Sequence, residues 1–203
     1  MDYYEDRNVA FIDILGFKNI VKQSKDIEVL NIIDELHKNI HADKDGKVYD
    51  YRESFEFAYF SDCIVLSCLS KKSYGFIQNL MNLQIELLRK GVFIRGCITK
   101  GDLYHSGNKL FGPALIEAYE SESSIAKYPR IILGKNYKYI GTYFAEDYDG
   151  IYFIDFCRHM QHKAWNKDFD LTKVYLEIMD QINNSIESNK DNESILMKYN
   201  WTK

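Results

Sequence analysis

The stretch Val9-Ala10-Phe11-Ile12-Asp13-Ile14-Leu15-Gly16-Phe17 constrains the fold of this chain more than any other segment. Residues 9–15 are apolar but for Asp13, the pattern of a strand covered on both faces. A lone carboxylate in such a strand is costly to bury unless a donor or a metal ion meets it. Gly16 follows at once, and a helix is expected behind Phe17. A strand that ends in glycine and opens a helix presents backbone N–H groups suited to phosphate. Two readings stand at this point: a metal ligand beside an anion cradle, or a core strand closed by a capping acid.

The remaining composition narrows the class. A chain of 203 residues suits one domain, here read as a core over residues 1–160 with a helical extension over 161–203 packed on it. Hydrophobic residues make up 46%, enough for a sizeable core, and only two prolines occur, which argues against long disordered linkers. A net charge of −4 speaks against a nucleic-acid-coating protein. Cys63, Cys68, Cys97 and Cys157 form no C-x-x-C pair and read as reduced, buried thiols of a cytoplasmic protein. The acidic N-terminus lacks an apolar signal core, and no apolar run has the length of a membrane span.

Hydrophobic spacing predicts one helix over residues 18–41, in which His37 and His41 read as solvated, and then a polar turn at Asp45-Gly46. Strands are expected over 54–60 and 63–69, joined tightly through Ser61-Asp62. A helix over 71–90 closes at Gly91. A strand over 92–99 carries Arg95, and the glycine-rich section 96–112 is expected to turn several times. Pro113 opens the next helix, which runs to about residue 127. Further expectations are a short strand at 131–133, a short helix over 136–144, a strand over 151–156 and a helix over 171–187. The order suggests an α/β sandwich, α+β in type, with an antiparallel sheet built on a ferredoxin-like β-α-β-β-α-β core. In that core Asp13 and Asp62 sit on neighbouring strands. Two facing carboxylates repel unless a dication lies between them, and Mg²⁺ or Mn²⁺ suits such oxygen ligands.

On Phe11-Ile12-Asp13-Ile14-Leu15-Gly16-Phe17, Phe60-Ser61-Asp62, Arg95-Gly96-Cys97-Ile98-Thr99-Lys100-Gly101 and Gly112-Pro113-Ala114-Leu115, the chain resembles a class III nucleotidyl cyclase domain. The resemblance runs from about residue 7 to 155. With Ile116-Glu117-Ala118-Tyr119-Glu120-Ser121-Glu122 and Tyr128-Pro129-Arg130-Ile131, it looks most like the pyrimidine cyclases of bacterial Pycsar anti-phage systems. The resemblance implies a homodimer with composite sites, two Mg²⁺ or Mn²⁺ ions per site, and cyclisation of UTP or CTP to a 3′,5′-cyclic monophosphate that activates an effector. Asp13 and Asp62 match the two metal carboxylates, and the Ile14 carbonyl would add a ligand. Gly16 and Phe17 amides would hold phosphate, and Arg95 falls where cyclases keep an arginine near the triphosphate.

Several positions depart from the purine cyclases. Their Asn and Arg on the helix after the glycine are Ile116 and Glu120 here, so Arg130 is the expected transition-state cation. The lysine four residues before the second metal acid is Ala58, next to Tyr59, whose ring would fill space that a purine needs. The base-reading Asp three residues before the glycine is Lys109, which can donate to a pyrimidine carbonyl. UTP is therefore the expected substrate. CTP, a purine triphosphate, and a degenerate domain that only binds nucleotide or dimerises are the alternatives. The Gly-Gly-Asp/Glu-Glu-Phe tip of diguanylate cyclases does not occur at the hairpin.

Overall fold

The computed structural model describes residues 3–23, 25–41, 55–72, 75–138 and 141–203, without the side chains of residues 36 and 39–41. The expected turn at Asp45-Gly46, Ser54 at the start of the second strand, and the side chain of His41 lie outside the described residues. Strand β1 (Glu5–Ile14) is the axis of the sheet. It pairs antiparallel with β3 (Cys63–Leu69) on one side and with β4 (Ile94–Ser106) on the other. The strand β2 (Glu56–Phe60) edges β3, and β6 (Ile131–Leu133) runs parallel to β4. Two short strands, β7 (Phe144–Glu146) and β8 (Tyr152–Ile154), complete the order β2-β3-β1-β4-β6-β8-β7, while β5 (Lys109–Phe111) folds back on the end of β4. The order β2-β3-β1-β4 is that of the expected ferredoxin-like core.

Side-chain alternation on β1 assigns the two faces. Ala10, Ile12 and Ile14 enter the main core. Helices α2 (Asp26–His41), α3 (Phe76–Leu88), α5 (Phe156–Lys163) and α6 (Leu171–Ser188) cover that face through residues such as Val29, Leu80, Met160 and Ile178. Val9 and Phe11 turn to the opposite face, where α4 (Pro113–Ile125) packs through Ala114. Both faces are thus occupied along the second half of β1, which is why Val9 to Ile14 is apolar but for Asp13.

Several expectations are corrected. The helix over 18–41 is two helices, α1 (Phe17–Lys22) and α2, because Gln23 caps the first in a non-helical geometry. Helix α3 begins at Phe76, since Gly75 holds a left-handed backbone. The glycine-rich section does not turn repeatedly: β4 runs through Gly96 and Gly101, and the chain reverses only around Gly107. Gly96 serves close packing, since a Cβ there would stand 2.5 Å from the carbonyl oxygen of Phe11. The described part of 136–144 is not helical, and Phe144 starts β7. The last strand stops at Ile154, because Asp155 accepts a hydrogen bond from the Arg158 amide (3.0 Å) and caps α5. Cys157 lies exposed on α5 rather than in a strand, and Cys63 is half-buried, whereas Cys68 and Cys97 are buried as expected. The tail forms α7 (Glu193–Thr202), with the Tyr199 ring 4.6 Å from that of Phe93. No helix among the described residues is long and apolar enough to cross a membrane.

Two buried histidines make stability pH-dependent. His105 lies 2.8 Å from Ser67 Oγ, and His159 lies 3.0 Å from Asn82 Oδ1. Burial pulls both from the usual 6.5 to about 4. The unfolded chain binds more protons than the folded one between those values, so each neutral ring contributes stability above pH 6.5 that is lost as pH falls to about 4. A His159→Gln variant is expected to show a shallower fall in unfolding free energy across this window than the wild type. An unchanged slope would contradict the assignment.

Candidate active site

The register of three strands assembles the site. Asp13 pairs with Cys63 on β3 and with Arg95 on β4, so the three residues stand side by side. The β2–β3 hairpin turns through Ser61, in a left-handed conformation, and Asp62. The Ile14 amide donates to the Asp62 carbonyl (2.8 Å), which ties the hairpin tip to the end of β1. Ligand atoms of Asp13, Asp62 and Cys63 consequently lie within 4.8 Å of one another.

Arg95 Nε donates to Asp13 Oδ2 at 3.0 Å, and its Nη1 donates to the Ala126 carbonyl at 3.2 Å. Glu122, a residue the sequence reading did not select, forms an ion pair with the same Nε at 2.7 Å. Its side chain is 4% exposed, and burial raises its carboxyl above the usual range against the opposing pull of Arg95. A signal for Glu122 was present: Ala114, Ala118 and Glu122 recur every fourth residue along the buried stripe of α4. Two alanines bring the helix close to the sheet, and the acid one turn further reaches the arginine.

Asp13 and Glu122 pair with the one guanidinium and Asp62 stands beside Asp13, an excess of negative charge that suits a dication. The Cys63 thiol donates to Asp62 Oδ1 at 3.6 Å, and burial, reinforced by Asp62, pushes it up to about 12. Asp13 and Asp62 contribute carboxylate oxygen, the main donor of the cluster. That chemistry fits Mg²⁺ or Mn²⁺ better than zinc.

The other expected residues divide. Gly16, in a left-handed backbone with φ 71, directly follows Leu15 and starts α1 with Phe17. The Ile14 side chain is buried, which leaves only its backbone for the site. The Tyr59 ring packs against the main core and its hydroxyl feels Asp62, while Ala58 faces the side of Asp13. Lys109 sits on β5 opposite Ser106, eleven positions along β4 from Arg95 and roughly 35 Å away along an extended strand. Arg130 is a correction. Its side chain is fully buried and bound to Asp147 and Asp149 rather than aimed at Asp13 and Asp62. The guanidinium stands 5.3 Å from the Tyr128 ring and 5.6 Å from that of Trp201.

No protein-family model matches the chain, and no curated protein matches it in sequence. Solved structures do match. A bacterial light-regulated adenylyl cyclase superposes with a TM-score of 0.50 at 13% identity, over 86% of this chain and 98% of that one. The catalytic core of a rhodopsin-guanylyl cyclase with converted specificity, in complex with ATPαS, gives 0.52 at 18% identity, over 74% and 95%. At these identities the likeness concerns the fold, and the chain has the mixed α/β fold of the class III nucleotidyl cyclase catalytic domains.

Proposed function

We propose that this chain is a nucleotidyl cyclase that converts a nucleoside triphosphate, UTP in preference, to its 3′,5′-cyclic monophosphate and pyrophosphate. The observation that carries the reading is the pair Asp13 and Asp62, within 4.8 Å and beside Arg95, at one end of a cyclase-type sheet. These carboxylates, with the Ile14 carbonyl, would hold Mg²⁺ or Mn²⁺, two ions in the active state. Bound there, the ions would lower the pKa of the ribose 3′-hydroxyl and neutralise the phosphates. The protein's own part is positioning and charge. Amides of Gly16 and Phe17 receive the phosphates, and Arg95, released from Asp13, faces the triphosphate with Glu122 fixing its other side. Residues 1–160 form the catalytic domain in this reading, and 161–203 the helical extension.

A site composed from two chains follows from Lys109. Too far from its own Asp13, it meets a substrate only if a second copy supplies it, so the active form is a homodimer. Exposed Phe60, Phe111, Ile116 and Tyr119 provide apolar surface for that contact. Light scattering at micromolar concentration is expected to give a dimer; a fully active monomer would contradict it.

The pyrimidine preference rests on Lys109 in place of an acceptor and on buried Ala58 in place of a lysine. A lysine meets the O4 acceptor of uracil, whereas cytosine presents an amino group there. The test is competition among the four triphosphates at equal concentration with Mn²⁺, with products identified by mass spectrometry. Cyclic UMP is the expected main product. Cyclic CMP would overturn the choice between pyrimidines, and cyclic AMP or cyclic GMP the pyrimidine reading itself. A purine cyclase is the second reading, favoured by the adenylyl and guanylyl cyclases among the similar structures. A cytoplasmic place, a downstream effector and a role in anti-phage defence complete the proposal. Phage plaque counts on cells carrying the wild-type chain or Asp13→Ala, each with its effector, test that role. Equal counts would remove it.

A further inference from the structure

We propose that a second, cationic cleft on the other face of the sheet binds a phosphorylated ligand of nucleotide size. The cleft measures about 660 Å³ and lies between α1, the turn that leads into β4, α6 and α7. That volume falls in the range of small-molecule sites. Lys25, Lys90 and Lys198 line it from three different segments, together with amide side chains such as Asn19, Gln181 and Asn184. Among the described residues no carboxylate lines it. In a chain of net charge −4, three lysines converging without an acid on one concave surface focus positive potential there. Glu177 feels the charge of Lys90, but that carboxylate is held by Arg89 at 2.7 Å.

The cleft is distinct from the carboxylate pair. Its apolar members Leu15, Ile20, Phe93 and Tyr199 belong to the main core face, whereas Asp13 lies on the face of Phe11. Asp13, Asp62, Arg95 and Glu122 do not line it. Gly16 alone touches both regions, three residues after Asp13. A ligand in the cleft therefore bridges the C-terminal helices to the turn that follows the first carboxylate, which makes it a site for regulation rather than for chemistry.

The test is calorimetric titration of the full chain with uridine monophosphate and, separately, with inorganic pyrophosphate, in chelator and without divalent metal. Saturable binding of at least one probe at one per chain is expected, preserved in Asp13→Asn/Asp62→Asn and weakened about tenfold or more in Lys90→Glu/Lys198→Glu. The surface lysines tolerate this change without loss of core contacts, and circular dichroism checks it. Tighter binding of the monophosphate would assign the cleft to a nucleotide, and tighter binding of pyrophosphate to a simple phosphate anion. Absence of saturable binding by both probes would overturn the proposal. So would binding lost in the aspartate variant, or binding kept in the lysine variant.

Discussion

Asp13→Ala and Asp62→Ala are each expected to lower turnover by on the order of a thousandfold or more, while the protein remains folded. Asp13 and Asp62 are the oxygen donors that would hold the metal ions, and the neighbouring Cys63 offers sulfur, a poor match for Mg²⁺. Stability should move the other way or not at all. Asp13 and Asp62 repel each other across less than 5 Å, and Glu122 adds to the same negative field. Removing one acid relieves that repulsion, and Arg95 keeps Glu122 as its partner at 2.7 Å. Active sites commonly hold stability in reserve in this way. Steady-state product formation with Mn²⁺ and a urea unfolding curve on the same samples check both halves. Near wild-type turnover in either variant would remove the metal-site assignment. A large loss of stability would mean that the acids serve the fold.

Arg130→Met is expected to cost about 3–5 kcal/mol of unfolding free energy, the usual consequence of removing one partner of a buried ion pair. For a chain of this size that is a fall in melting temperature on the order of 10 °C. The guanidinium is fully buried, and the two acids it holds, Asp147 and Asp149, are 11% and 27% exposed. Trp201 Nε1 also donates to Asp147 Oδ2 at 2.6 Å, and the Trp201 ring stacks on Tyr128. Loss of Arg130 therefore leaves two acids uncompensated and loosens the hold on α7. The pairing also holds the Asp149 carboxyl below its usual range, so this contribution is present above the unfolded carboxylate pKa and fades as acid protonates the folded state. Differential scanning calorimetry measures the effect. A variant with wild-type stability that nonetheless loses turnover would return Arg130 to a chemical role.

Local patterns were legible in the chain. The apolar run of β1, the Ser61-Asp62 reversal, Pro113 at the start of α4 and the spacing of α6 all depend on neighbours within a few residues. Such signals survive in the sequence because turn chemistry and periodicity are short-range. The approach of Asp13 to Asp62 was legible for the same reason, since a tight hairpin beside the first strand leaves its tip little choice. Pairing and packing decided the rest. Glycines at 96 and 101 look like turns in sequence, but Gly96 admits the close contact between β4 and β1. The face of Tyr59 depends on strand register, in which a one-residue step exchanges core for the opposite side. Arg95 finds Glu122 only when α4 lies down on the sheet, and Arg130 finds Asp147 and Asp149 only across the loop between β7 and β8. An arginine in sequence is a charge without an address. The sequence by itself determined the strand that carries Asp13 and the hairpin that carries Asp62. Only the tertiary structure decided which cation meets Asp13, because the desolvation that binds a guanidinium to one carboxylate rather than another exists only once distant segments have packed.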